Sequence, residues 1–135
     1  MLQPTRTVIC VDDDLDDRDL VCYTIYEIDP SFQMIHAEDG LKAISYLSKA
    51  KREESLPCLV ILDINMPKMD GKQPLAEIKK DGELSELPVV VFSTSNNPMD
   101  KLYCDRYGVE LVTRPSNMRH MQQKMRRILQ HCAEG

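Results

Sequence analysis

Three adjacent carboxylates follow a short apolar run near the start of the chain. In the stretch VICVDDD, residues 8–11 are apolar and lead directly into Asp12, Asp13 and Asp14. An apolar run of this length is typical of a strand buried on both faces of a parallel sheet. Adjacent acids repel one another, so their position at the end of a strand indicates a functional role.

A fourth carboxylate, Asp63, closes a second apolar run at residues 58–62. The carboxyl ends of parallel strands meet at one edge of a sheet, which is where ligands bind, so we expect Asp12 and Asp13 to lie near Asp63. Buried acids are costly without a partner, and a hard cation such as Mg²⁺ prefers oxygen ligands. The sequence therefore predicts a metal site, with Asp14 more readily a helix N-cap than a ligand.

Two further strand ends carry groups that suit phosphoryl chemistry. Ser93 and Thr94 follow the run VVVF, and Arg114 follows the run ELVT. A carboxylate beside a metal can act as a nucleophile, while a hydroxyl and a cation hold phosphoryl oxygens. Ser93 as an ordinary turn residue and Arg114 as a solvated surface cation are equally open alternatives at this point.

The elements that must position these groups alternate along the chain. Short apolar runs predict strands, and amphipathic stretches between them predict helices, which together indicate a doubly wound α/β fold with a five-stranded parallel sheet between two helical layers. With the periodicity of an α-helix, Leu41, Ile44 and Leu47 lie on one face. We also expect a stripe of methionines near the C-terminus to pack in the core. The predicted strands are 7–12, 32–37, 58–63, 89–93 and 110–113, and the predicted helices are 15–28, 40–50, 72–81, 98–107 and 117–131.

Composition narrows the class of protein. The chain has 135 residues, about one domain, and a net charge of −5, which argues against a general nucleic-acid binder. Its five cysteines are odd in number and form no Cys-x-x-Cys pair, so we expect reduced thiols and a cytoplasmic location. We find no signal peptide and no apolar run long enough to cross a membrane.

The chain resembles the receiver domain of two-component response regulators. The stretches VICVDDD, AEDGLKAISYL, VILDINMPKMDG, PVVVFSTS and VTRP occur in the order and at the spacing of that family. The resemblance implies a flavodoxin-like sheet of strand order 2-1-3-4-5. It also leads us to expect a single receiver domain over residues 1–135, with no output domain.

The resemblance implies a role for each acidic residue of the site. Asp63 matches the phosphoacceptor, and Asp12 and Asp13 match the acidic pair that binds the metal. Asn65 matches the position whose backbone carbonyl completes the metal site, so the implied cofactor is Mg²⁺ or another divalent cation. The loop that follows also matches the family, at Met66, Pro67, Asp70 and Gly71.

The switching residues match the family less closely. Ser93 matches the hydroxyl residue that changes contact on phosphorylation. Arg114 stands in the place of the family's lysine, before Pro115, and by resemblance we expect a cis bond between Arg114 and Pro115. Leu111 stands where the family has an aromatic switch residue, so we expect output to run through Ser93 and residues 94–100.

The implied function is a phosphorelay receiver that catalyses its own phosphotransfer and dephosphorylation. A histidine kinase or histidine phosphotransfer protein would donate the phosphoryl group to Asp63, and the altered surface would bind an unknown protein target. The alternative is an unphosphorylated pseudo-receiver that acts as a docking module. A phosphatase of the Asp-x-Asp type is a third hypothesis, but no adjacent pair of acids follows Ser93.

A mixed-charge face is predicted on residues 98–107, 110–113 and 117–131. In the family this face usually binds partners, so it could set partner choice or the register of a homodimer. A solvated charged face explains it equally well.

Overall fold

The computed structural model of the chain describes residues 6–63, 72–93, 98–115 and 117–132, with the backbone alone at residues 72–74 and 93. Strands and helices alternate throughout, as the sequence predicts. The strands are β1 Thr7–Val11, β2 Gln33–Ala37, β3 Leu59–Leu62, β4 Val89–Ser93 and β5 Glu110–Thr113. The helices are α1 Leu15–Ile28, α2 Gly40–Arg52, α3 Lys72–Lys80, α4 Pro98–Arg106 and α5 Met118–Leu129, with short 3₁₀ helices at Leu84–Glu86 and Gln130–Cys132.

All five strands are parallel and lie in the order β2-β1-β3-β4-β5. This confirms the doubly wound, flavodoxin-like sheet. In the register of the central strands, Ile9 of β1 lies opposite Ile35 of β2 and Val60 of β3. The sheet therefore places the ends of β1 and β3 side by side, which is what the site requires.

The core divides into two clusters, one on each face of the sheet. Ile9 and Val11 of β1 belong to the cluster that includes Leu47 of α2. Val8 belongs to the opposite cluster, which includes Ile25 of α1. Because both faces are covered, β1 is apolar from Val8 to Val11, and this explains the continuous run in the sequence.

The methionine stripe of α5 packs in the core, as expected. Met121 and Met125 are buried, together with Ile128 and Leu129, while Met118 at the start of the helix is 39% exposed. The prediction for α2 was partly wrong, because Leu41 is 67% exposed. The buried residues of that helix include small ones, whereas the prediction considered only the large apolar side chains. They are Gly40, Ala43, Leu47 and Ala50.

Helix α1 begins immediately after the acidic run because Asp14 caps it. The Asp14 carboxylate accepts a hydrogen bond from the Asp17 N–H at 3.0 Å. Asp39 and Asn117 cap α2 and α5 in the same way. These caps fix the first turns of three helices along the carboxyl edge of the sheet.

The expectation of five reduced thiols was wrong. Cys58 and Cys132 form a disulfide, with their Cα atoms 5.2 Å apart and a sequence separation of 74. Local spacing cannot show this pair, because only the fold brings the segment before β3 to the end of the chain. Cys10 and Cys104 are free and buried, and Cys22 is free and half-buried.

No helix within the described ranges combines the length and apolar character that a bilayer-spanning segment needs.

Candidate functional site

The ends of β1 and β3 bring the predicted acids together. Val11 is paired with Leu62, and each strand ends there, so Asp12 and Asp63 follow at adjacent places on the carboxyl edge. The Asp63 N–H extends the ladder by donating to the Val11 carbonyl at 2.9 Å. The sheet register therefore holds the two carboxylates in place.

Three carboxylates form a cluster that fits a divalent cation. Asp12, Asp13 and Asp63 each offer an oxygen, and these oxygens all lie within 4.8 Å of one another. Asp12 is buried, Asp63 is half-buried and Asp13 is exposed, so the cluster opens to solvent on one side. Clustered carboxylate oxygens with an open side suit Mg²⁺, which keeps several of its waters when it binds.

The cluster is electrostatically costly by itself. Burial raises the pKa of the Asp12 carboxyl well above its usual range. The negative charge of Asp63 acts in the same direction, while a hydrogen bond from the Asp14 N–H at 2.9 Å opposes both. A bound cation would favour the ionised form of these acids, because it supplies the opposite charge.

The third acid of the run has a structural role. Asp14 is exposed, and its carboxylate caps α1, which confirms the N-cap interpretation. The Asp-x-Asp phosphatase hypothesis loses support from this geometry, since Asp14 is turned to the helix and the carboxylates that cluster are Asp12, Asp13 and Asp63.

Arg114 lies at the acidic cluster and is not a solvated surface cation. Its side chain is only 11% exposed, and its guanidinium carbon lies 5.3 Å from the centroid of the Phe92 ring. Nη1 lies 2.7 Å from a carboxylate oxygen of Asp17, and Nη2 lies 3.7 Å from one of Asp12. The side chain thus extends from the end of β5 past β4 to the acids that follow β1.

The expected cis bond before Pro115 was wrong, because no peptide bond in the described residues is cis. The trans form is the ordinary preference for a bond to proline. The long arginine side chain reaches Asp12 and Asp17 from a trans backbone, so a cis turn is not needed to direct it to the site.

Several predicted site residues cannot be placed. The backbone of Ser93 ends β4 beside Thr113, at the same edge as the acids, but its side chain is not described. The following predicted positions lie outside the described residues: Asn65, Met66, Pro67, Asp70, Gly71 and Thr94. Their roles stay predictions.

Sequence reasoning missed Asp17. An acid in the first turn of a helix interacts favourably with the helix dipole, so Asp17 did not stand out as a partner of Arg114. The two residues are 97 positions apart in sequence, so no local pattern joins them.

Comparison with known proteins identifies the family of the chain. Residues 8–126 match the response regulator receiver domain. The chain belongs to this family. Its receiver domain is 36% identical over 99 residues to the response regulator Rcp1 of Synechocystis, which covers 72% of this chain and 67% of that protein. The resemblance stated from the sequence motifs is therefore confirmed, and the chain is a receiver domain of two-component signalling.

Solved structures of similar receivers have the same fold. A crystal structure of the phosphorylated cyanobacterial phytochrome response regulator RcpA superposes with a TM-score of 0.84 at 30% identity, covering 96% of this chain and 95% of that one. The Mn²⁺-bound form of Rcp1 superposes with a TM-score of 0.78 at 32% identity, covering 91% of each chain. The RcpA of that structure is phosphorylated, and the Rcp1 of the other binds Mn²⁺.

Proposed function

We propose that this receiver accepts a phosphoryl group from a phosphohistidine onto Asp63, in the presence of Mg²⁺ or a similar divalent cation. The observation that carries the proposal is the cluster of Asp12, Asp13 and Asp63, with oxygens within 4.8 Å, next to the buried guanidinium of Arg114. The donor is a histidine kinase or a histidine phosphotransfer protein.

The metal would be held by Asp12, Asp13 and Asp63, with the backbone carbonyl of Asn65 as a further ligand. The donor set consists of oxygens, which is what a hard divalent cation prefers. When bound, the cation neutralises charge on the carboxylates and on phosphoryl oxygens. The Mn²⁺-bound form of Rcp1 supports a divalent cation in this family.

Asp63 is the nucleophile of the proposed transfer. One of its oxygens forms a bond to phosphorus as the phosphorus–nitrogen bond of the phosphohistidine breaks, and the imidazole keeps the electron pair and takes up a proton. Arg114 and the Ser93 hydroxyl would contact the transferred oxygens. Attack by water on phosphorus later returns Asp63 and inorganic phosphate.

Output runs through the surface of α4, β5 and α5 in this proposal. Leu111 is half-buried against the core and offers no aromatic ring, so the switch starts from Ser93 and the segment after it. Arg127 pairs with Glu110 across this face, and a homodimer there stays a prediction for mass measurement in solution.

The test is incubation with a small phosphodonor such as acetyl phosphate, followed by intact-mass measurement. Wild type should gain the mass of one phosphoryl group with Mg²⁺ and gain nothing with a chelator. Asp63→Asn should gain nothing under either condition. Equal uptake by Asp63→Asn would refute the assignment of Asp63. A wild type that never takes up the group would favour the pseudo-receiver alternative, in which the surface only docks a partner.

A further inference from the structure

The closest acidic partner of Arg114 in the described part of the chain comes from α1. Its Nη1 lies 2.7 Å from an oxygen of Asp17, whereas its Nη2 lies 3.7 Å from an oxygen of Asp12. The first is a close ion-pair contact, and the second is a longer ion pair. Arg114 is therefore held chiefly by Asp17.

The position of Asp17 is itself fixed. Its N–H donates to the capping carboxylate of Asp14 at 3.0 Å, so the first turn of α1 is tied to the end of β1. Its side chain is 35% exposed, and that of Arg114 is 11% exposed. The contact is partly shielded from water, and this makes it stronger than an ordinary surface pair.

We propose that Asp17 is a positioning residue that restrains Arg114 in the unphosphorylated protein, so that a phosphoryl group on Asp63 must compete with Asp17 for the guanidinium. The inference rests on the proposed function, because it concerns the same site. It links the first turn of α1 to the phosphorylation state through one ion pair.

The contacts of the Arg114 guanidinium support a competition between Asp17 and the phosphoryl group. One of its Nη groups is committed to Asp17, while Nε is buried and has no hydrogen-bond partner among the described residues. Guanidinium binds anions as a fork, with two N–H groups directed at two oxygens. Because Nε is buried, a fork toward a phosphoryl group is made by the two Nη groups, and turning Nη1 toward it breaks or lengthens the contact with Asp17.

The test measures binding of beryllium trifluoride, a phosphoryl mimic, to the full chain with Mg²⁺ by following backbone amide chemical shifts. Asp17→Asn should bind the mimic more tightly than wild type by a factor on the order of five, as expected when a partly buried ion pair no longer competes. Asp16→Asn is the matched control. Asp16 has the same charge, lies in the same turn, is exposed and forms no ion pair with a described residue.

A tighter complex is not what a purely structural role would produce, since loss of a stabilising pair weakens the fold and does not improve the site. The second arm repeats the comparison with Arg114→Ala. There Asp17→Asn should cause no further change, because the competing contact is already gone.

Unchanged or weaker binding in Asp17→Asn, with wild type binding normally, would overturn the inference and leave the proposed function intact. So would a full effect of Asp17→Asn in the Arg114→Ala background. If wild type does not bind the mimic at all, the proposed function fails, and this inference fails with it. Chemical unfolding of each variant confirms that the compared proteins are folded.

Discussion

The two ends of the same sheet are built in opposite ways. At the carboxyl edge, Asp12, Asp13 and Asp63 place like charges within 4.8 Å. At the amino edge, groups are matched in pairs, either covalently or by charge. These pairs are Cys58–Cys132, Arg6–Asp29 and Lys51–Asp81. Like charges therefore gather at the carboxyl edge of the sheet, whereas these groups at the amino edge have partners.

At the amino edge, the charged groups of Arg6 and Asp29 each make several contacts. The Arg6 guanidinium donates to both Ser31 and Asp29 and lies 4.3 Å from the centroid of the Phe32 ring. Asp29 also accepts from the N–H and the hydroxyl of Ser31. Arg6 and Asp29 therefore each have several partners. At the opposite edge, a hydrogen bond from Asp14 and the charge of Arg114 only partly offset the burial of Asp12.

The largest effect on stability is expected from the disulfide. Replacing both Cys58 and Cys132 by Ser should lower the free energy of unfolding by about 2–4 kcal/mol, because the bond closes a long loop in the unfolded chain. Denaturant unfolding measures this, and a reductant should lower the stability of wild type by a similar amount. Cys22→Ser, which keeps the disulfide, is the control and should lose as much stability with reductant as wild type does. If reductant does not change the unfolding midpoint of wild type, the disulfide is absent or does not stabilise the fold.

At the carboxyl edge, a substitution that removes charge should act in the opposite direction. Without divalent ions, Asp13→Asn should raise the free energy of unfolding by on the order of 1 kcal/mol, because it relieves repulsion within the cluster. Asp16→Asn, which removes an exposed acid from the neighbouring turn, is the matched control for net charge. If Asp13→Asn is less stable than Asp16→Asn in the presence of a chelator, repulsion between the clustered carboxylates does not destabilise the fold.

The smallest effect is expected at Asp81 and depends on pH. A hydrogen bond from Lys51 and the N–H of Leu84 hold the pKa of Asp81 at about 2, below its ordinary value of 3.8. Because the folded pKa is the lower one, this contribution to stability is complete above about pH 3.8 and is lost as the pH falls through about 2. The unfolding midpoint of Asp81→Asn should therefore lie below that of wild type at neutral pH and approach it near pH 2. Glu86→Gln, an exposed acid nearby, should show no such convergence.

Much of this architecture follows from local sequence. The apolar runs predict the strands because β1 and β3 are buried on both faces, and the cap Asp14 marks the start of α1 within one residue. The prediction of the buried face of α2 failed because it considered only large apolar side chains. Leu41 is exposed to solvent, while the small Ala43 is buried. It also failed for contacts that depend on tertiary structure. Cys58 with Cys132, and Arg114 with Asp17, are joined by the fold and by no spacing that the sequence displays.

In the proposed function, the like charges at the carboxyl edge bind a divalent cation. The most direct measurement is the free energy of unfolding as Mg²⁺ is added to wild type and to Asp13→Asn. Wild type should gain stability with the logarithm of the Mg²⁺ concentration, reaching about 2.7 kcal/mol at one hundred times the dissociation constant, while Asp13→Asn gains far less. A wild type whose stability does not change with Mg²⁺, or an Asp13→Asn that gains as much, would contradict the claim.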